Sequence, residues 1–102
     1  LMHILPLLRD IGVNEVNIDP YVDCKTILDV IPDALIWGQI PPTKVLLYGT
    51  PDEIRACVKR DVEQAGKTKQ LVIGPAGSIN PGTSFENLRA MCEAAEEYGH
   101  IF

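Results

Sequence analysis

Two long stretches of the chain carry apolar residues at helical spacing, and both are opened by the same device. In GTPDEIRACVKRDVEQAG, residues 49–66, Thr50 is the expected N-cap, Pro51 takes the first helical position and Glu53 falls three residues past the cap. That is a capping box with proline where its missing N–H does no harm. Ile54, Cys57, Val58, Val62 and Ala65 then share one face, and Gly66 ends the run. In GTSFENLRAMCEAAEEYG, residues 82–99, Thr83 is the expected cap, Glu86 its partner and Gly99 the stop. Phe85, Leu88, Met91, Cys92 and Ala95 form the apolar stripe, and Glu93, Glu96 and Glu97 make the opposite, solvated face.

Three short apolar segments read as strands: 15–18, 34–37 and 70–73. The second and third lack alternation, as strands of a parallel sheet buried on both faces do. Shorter helical patterns precede the first two. One spans His3 to Ile11, with Ile4, Leu7, Leu8 and Ile11 in register, Pro6 in the first turn and Gly12 as the stop. The other spans Tyr21 to Ile31, with Val22, Ile27, Leu28 and Ile31, and is stopped by Pro32. The order helix, strand, helix, strand, helix, strand, helix predicts right-handed βαβ units and an α/β class. No linker, low-complexity segment or composition break divides residues 1–102 into domains.

Composition adds bounds. Of the 102 residues 46% are hydrophobic, which fits one folded core and excludes a disordered chain. The formal net charge is −5, and the nine Lys and Arg form no stripe, so nucleic acid and anionic membrane are poor partners. No apolar run reaches the roughly 20 residues of a membrane span. The opening Leu1-Met2-His3 is neither a signal peptide nor an initiator, so the chain is expected to begin inside a longer protein. Three cysteines, Cys24, Cys57 and Cys92, without a C-x-x-C pair, fit a reducing cytoplasm better than a disulfide framework. Cys57 and Cys92 fall on helix stripes and are expected to be buried core thiols. Cys24 has no nearby His to support a reactive or metal-bound role.

Candidate chemistry lies where strands end, because the loops after strand C-termini form the binding face of α/β folds. GPAGSINPGTS, residues 74–84, joins the last strand to the last helix. It reads either as a turn-rich connection or as a backbone cradle for a phosphate or carboxylate, with free N–H groups and a helix dipole behind it. It matches neither the P-loop nor the G-x-G-x-x-G spacing. Asp19, in IDP, is either a polar contact for substrate or proton transfer, or the opener of an Asp-Pro turn. Gln39, in WGQIPP, is placed to bind a polar substrate group, and Trp37 is core or pocket wall.

The ordered segments IGVNEVNID, ALIWGQIPP, LLYGTPDEIRACV and GPAGSINPGTSFENLRAM resemble the C-terminal part of the uroporphyrinogen decarboxylase superfamily over nearly the whole chain. The tail, a Gly-rich turn followed by Ile-x-Pro-x-Thr and a helix starting Glu-Asn, is most similar to the methylcobamide:coenzyme M methyltransferase branch. The resemblance implies a (β/α)₈ TIM barrel whose last three strands are present here. It implies a mouth lined by Asp19, Gln39, Gly77, Ser78 and Asn80, with Asp19 as the polar or proton contact. It also implies a tetrapyrrole or corrinoid-protein partner and a small thiol.

Departures from the family pattern narrow this. Decarboxylases carry Gly-Asn-Leu-Asp-Pro where Gly38-Gln39-Ile40-Pro41-Pro42 stands, and Gly-His-Gly where Ala76-Gly77-Ser78 stands. The methyltransferase branch holds a thiolate on zinc, and one cysteine ligand would fall at Gly77. A His-x-Cys pair would precede Leu1, and His3 is not its histidine. The segment itself is therefore expected to supply no metal ligand, with zinc and a methyl-corrinoid belonging to the parent protein. The alternatives are a uroporphyrinogen decarboxylase, or a non-catalytic piece that self-associates through its open sheet edges and apolar face.

Overall fold

In the computed structural model, which describes residues 2–99, the elements follow the expected order. Helix α1 spans Leu5–Asp10, preceded by a single 3₁₀ turn, Met2–Ile4. Strand β1 is Glu15–Val16, helix α2 Cys24–Val30, strand β2 Leu35–Trp37, helix α3 Pro51–Ala65, strand β3 Leu71–Val72 and helix α4 Phe85–Gly99. The strands are parallel in the order β1-β2-β3, with Val16 level with Ile36 and Ile36 level with Leu71.

Because successive strand residues point to opposite faces, this register sorts the sheet. Val16 and Ile36 lie in the core beneath the helices, while Glu15, Trp37 and Val72 stay exposed on the other side. The helices follow one another as a single layer, α1 against α2, α2 against α3 and α3 against α4. One core cluster joins Leu5, Val16, Val22, Cys24, Ile27, Ile31, Ala34, Ile36 and Ala65. A second joins Ile40, Leu46, Ile54, Val58, Val62, Ala90 and Ala94, with Leu71 packed against both. The result is a slab of 40 × 30 × 15 Å, helices on one face and bare sheet on the other.

Several expectations are corrected. The cap of α4 is Ser84, whose Oγ accepts the Asn87 N–H at 3.1 Å, while the Thr83 hydroxyl turns back to the Asn80 carbonyl. Asn87, Ala90 and Ala94 take the buried face of α4 while Cys92 and Phe85 are exposed, so Cys92 is no core thiol. Cys57 is only half-buried, and the fully buried thiol is Cys24. Helix α2 starts at Cys24 rather than Tyr21, because Asp23 accepts the Thr26 N–H and caps it there. In α1 the core takes Leu5 and part of Leu8, while Leu7 and Ile11 face outward. Thr50 caps α3 as expected, accepting the Glu53 N–H.

A wide π-type turn, Pro42–Leu47, between β2 and α3 has no counterpart in the sequence pattern. It is anchored from α4 by buried Asn87, whose Nδ2 donates to the carbonyls of Leu46 and Gly49 at 2.9 and 3.0 Å.

Candidate functional site at the strand C-termini

The loops leaving β1, β2 and β3 are joined by hydrogen bonds into one rim. Ile40 N–H donates to the Gly74 carbonyl, and Ala76 N–H donates to the Ile40 carbonyl at 2.8 Å, so the β2 and β3 loops run together past the sheet. Gln39 ties in the β1 loop: its Nε2 donates to the carbonyls of Asp19 at 2.9 Å and Val22 at 2.7 Å. The Gln39 peptide is held in turn by α3. Its N–H donates to Asp61 Oδ2 at 2.9 Å, and its carbonyl accepts from Arg60 Nη2 at 3.1 Å.

Asp61 is fully buried and also accepts from Arg60 Nε and Nη2, at 3.0 and 2.8 Å, and from the Cys24 thiol at 3.7 Å. A buried carboxylate needs this degree of compensation. Burial, with the Asp61 charge second, pushes the Cys24 thiol up to about 12. Cys24 is thus a weak donor to Asp61 and no nucleophile.

The rim distributes the expected site residues unevenly. Asp19 is half-buried and its Oδ1 accepts the Tyr21 N–H at 2.8 Å, the geometry of an Asp turn. Gln39 is fully buried and so has no surface to offer a ligand in this structure; its bonds are positional, and its Oε1 is buried without a partner. Asn80 Nδ2 donates to Thr43 Oγ1 at 2.6 Å and ties the Gly-rich loop to the wide turn. Ser78 and Gly77 are exposed. Gly77 has φ +118°, and a Cβ there would meet nothing within 4 Å. Backbone conformation, rather than crowding, is what favours glycine at the position where the resemblance places a cysteine.

Two concavities flank the rim. One, of about 220 Å³, opens on the bare face at the strand ends and is lined by Asn17, Trp37, Gly38, Val72, Gly74 and Gly77 among others. Of the five expected site residues only Gly77 reaches it, and Trp37 is its wall rather than core. The other, of about 430 Å³, lies on the helix side among Tyr21, Pro42, Lys44, Cys57 and Arg60. Among the described residues no three His, Cys, Asp or Glu side chains gather as a metal-binding group, and Gly77 brings no donor. Among them, too, no helix is long and apolar enough to cross a membrane.

Arg60, Asp61 and the wide turn were missed by the sequence reading. The usable signal for Asp61 was a charge set three residues after Val58 and four before Ala65, on the apolar face of α3.

Comparison with known proteins places this geometry. The family model for uroporphyrinogen decarboxylase matches residues 1–98. Methylcobamide:CoM methyltransferase MtbA of Methanosarcina acetivorans is 35% identical over 100 residues, covering 92% of this chain and 26% of the relative. A uroporphyrinogen decarboxylase of Prochlorococcus marinus is 34% identical over 91 residues, covering 88% of this chain and 25% of its own length. A solved methyltransferase from Methanosarcina mazei superposes with a TM-score of 0.81 at 28% identity, over 93% of this chain and 28% of that one. The chain thus spans about a quarter of the curated relatives it matches. Both branches named by the sequence motifs appear among these relatives, and three parallel strands with helices on one face form part of a (β/α)₈ barrel. The match to the family model over almost every residue, on a fold of this kind, establishes that the chain belongs to the uroporphyrinogen decarboxylase family.

Proposed function

We propose that residues 1–102 form the last three βα units of a (β/α)₈ barrel, without an internal boundary, in a cytoplasmic corrinoid-dependent methyltransferase-like member of the family. The segment is not competent alone. The observation that carries this reading is the bare sheet face, where Glu15, Trp37 and Val72 have no cover on the side a closed barrel fills with side chains. The similarity to a methylcobamide:CoM methyltransferase supports the reaction class.

In this reading the parent barrel binds a methyl-corrinoid, presented by a corrinoid protein, and a small thiol. Zinc bound by the parent would supply a thiolate at neutral pH. This chain's part is to shape the mouth. Gly77 and its neighbours leave open space at φ +118°, so a large planar ligand can approach the backbone. Ser78 and Asn80 line the rim, and Asp19 offers its second carboxylate oxygen as a polar or proton contact. Gln39 acts from beneath, through the loops it holds.

A second reading, cofactor-free decarboxylation of uroporphyrinogen, is favoured by the 34% identity to the Prochlorococcus enzyme. The absent Gly-His-Gly histidine at Ala76-Gly77-Ser78 speaks against it. The test is an assay of the protein carrying this segment with methylcobalamin plus coenzyme M, and separately with uroporphyrinogen. Thiol methylation without decarboxylation is expected. Decarboxylation without methyl transfer overturns the proposal in favour of the second reading.

A further inference from the structure

We propose that Arg60 and Asp61, on the outer helix α3, are a positioning pair that sets the geometry of the barrel mouth. The inference deepens the proposed function and rests on the mouth being the working face.

Asp61 and Arg60 grip opposite ends of the Gln39 residue, one at its N–H and the other at its carbonyl. The Gln39 side chain passes that constraint to the β1 loop, where the Asp19 carbonyl accepts both Gln39 Nε2 at 2.9 Å and the Val22 N–H at 3.2 Å. Ile40, the next residue, passes it to the β3 loop through Gly74 and Ala76. Asp19 and the stretch leading into Gly77 are therefore coupled to one ion pair, neither member of which lines the concavity on the bare face. Asp61 is fully buried while the Arg60 side chain is 35% exposed, and burying a charge for such a pair gains little stability over apolar residues of similar volume. What the pair supplies is register: two charged groups accept one arrangement of the Gln39 peptide, whereas an apolar contact accepts many. Gln39, buried with Oε1 unpartnered, cannot turn over without giving Nε2 poorer company.

The test separates positioning from folding. The double variant Arg60→Met/Asp61→Leu removes both charges and leaves no orphaned ion; it strips the Gln39 N–H and carbonyl of these partners, so it is expected to fold cooperatively with a lowered Tm. Hydrogen exchange at the amides of Val22, Gln39 and Ile40 should then rise by roughly tenfold or more relative to core amides of α3 such as Val58. In the methyl-transfer assay kcat should fall by roughly tenfold to a hundredfold with KM little moved, the pattern of misplaced groups rather than lost binding. Gln39→Met should raise exchange at Val22 while sparing Ile40. Unchanged exchange at Gln39 and Val22 in the folded double variant overturns the proposal, as does faster exchange with an unchanged kcat. If the wild type has no methyl-transfer activity, the proposed function fails, and the exchange arm still decides whether the pair sets the loops.

Discussion

Trp37 and Val72 are register partners on β2 and β3 and stand side by side on the bare face of the sheet, 45% and 38% exposed. One residue back in the same register, Ile36 and Leu71 point the other way, into the helices. The two faces therefore differ in what they tolerate. Val16→Thr, in the core, buries a hydroxyl and is expected to cost about 1–3 kcal/mol. Val72→Thr, the same exchange on the bare face, should change stability by about 0.5 kcal/mol or less. Chemical denaturation of the two variants checks this; equal losses would mean that the bare face is covered.

The wide turn depends on α4. Asn87→Leu removes both donors to the Leu46 and Gly49 carbonyls and is expected to destabilise by about 1–3 kcal/mol. Gly49→Ala should be at least as harmful, because a Cβ there would collide with the Val45 carbonyl. Thermal melts report both, and a Gly49→Ala variant of wild-type Tm would contradict the turn.

Asp23 caps α2, and its carboxyl is held below the usual value first by the Thr26 side-chain hydrogen bond and then by the Thr26 N–H. A folded-state value lower than the unfolded one gives stability that is complete above about pH 4 and is lost as pH falls through the folded value. Asp23→Ala should cost about 0.5–2 kcal/mol at pH 7 and flatten this acid dependence. Asp23→Asn, which still caps, should lose the pH dependence while keeping most of the stability. Urea midpoints measured from pH 7 to pH 2.5 test the pair.

Thiol chemistry should rank by surface. Cys92 is exposed, Cys57 is half-buried with its pKa raised by burial, and Cys24 is fully buried at about 12. A maleimide at pH 7.5 is expected to label Cys92 first, Cys57 slowly and Cys24 only on unfolding. Mass spectrometry of the labelled peptides shows the order; early labelling of Cys24 would contradict the Asp61 network.

The helices and their order were legible because capping and periodicity are local. Thr50, Pro51 and Glu53 announce α3 within four residues. The misplaced features all depend on tertiary partners. Thr83 and Ser84 are equally good caps in sequence, and the choice between them follows from where Asn87 must reach. Cys92 falls four residues after Leu88, yet Leu88 and Met91 pack against the core while Cys92 is exposed. At the mouth, the loop positions were readable from the strand ends. Gln39 was legible as polar and well placed, whereas its role as an internal tie depends on Asp61, 22 residues away.

The bare sheet face, as the interior of a barrel, needs cover. Light scattering of the 102-residue chain across a concentration series tests it most directly. A mass above 11.2 kDa that grows with concentration, and falls toward the monomer when Trp37 and Val72 are both replaced by Lys, is the predicted result. A folded monomer of 11.2 kDa at every concentration, indifferent to those replacements, would contradict it.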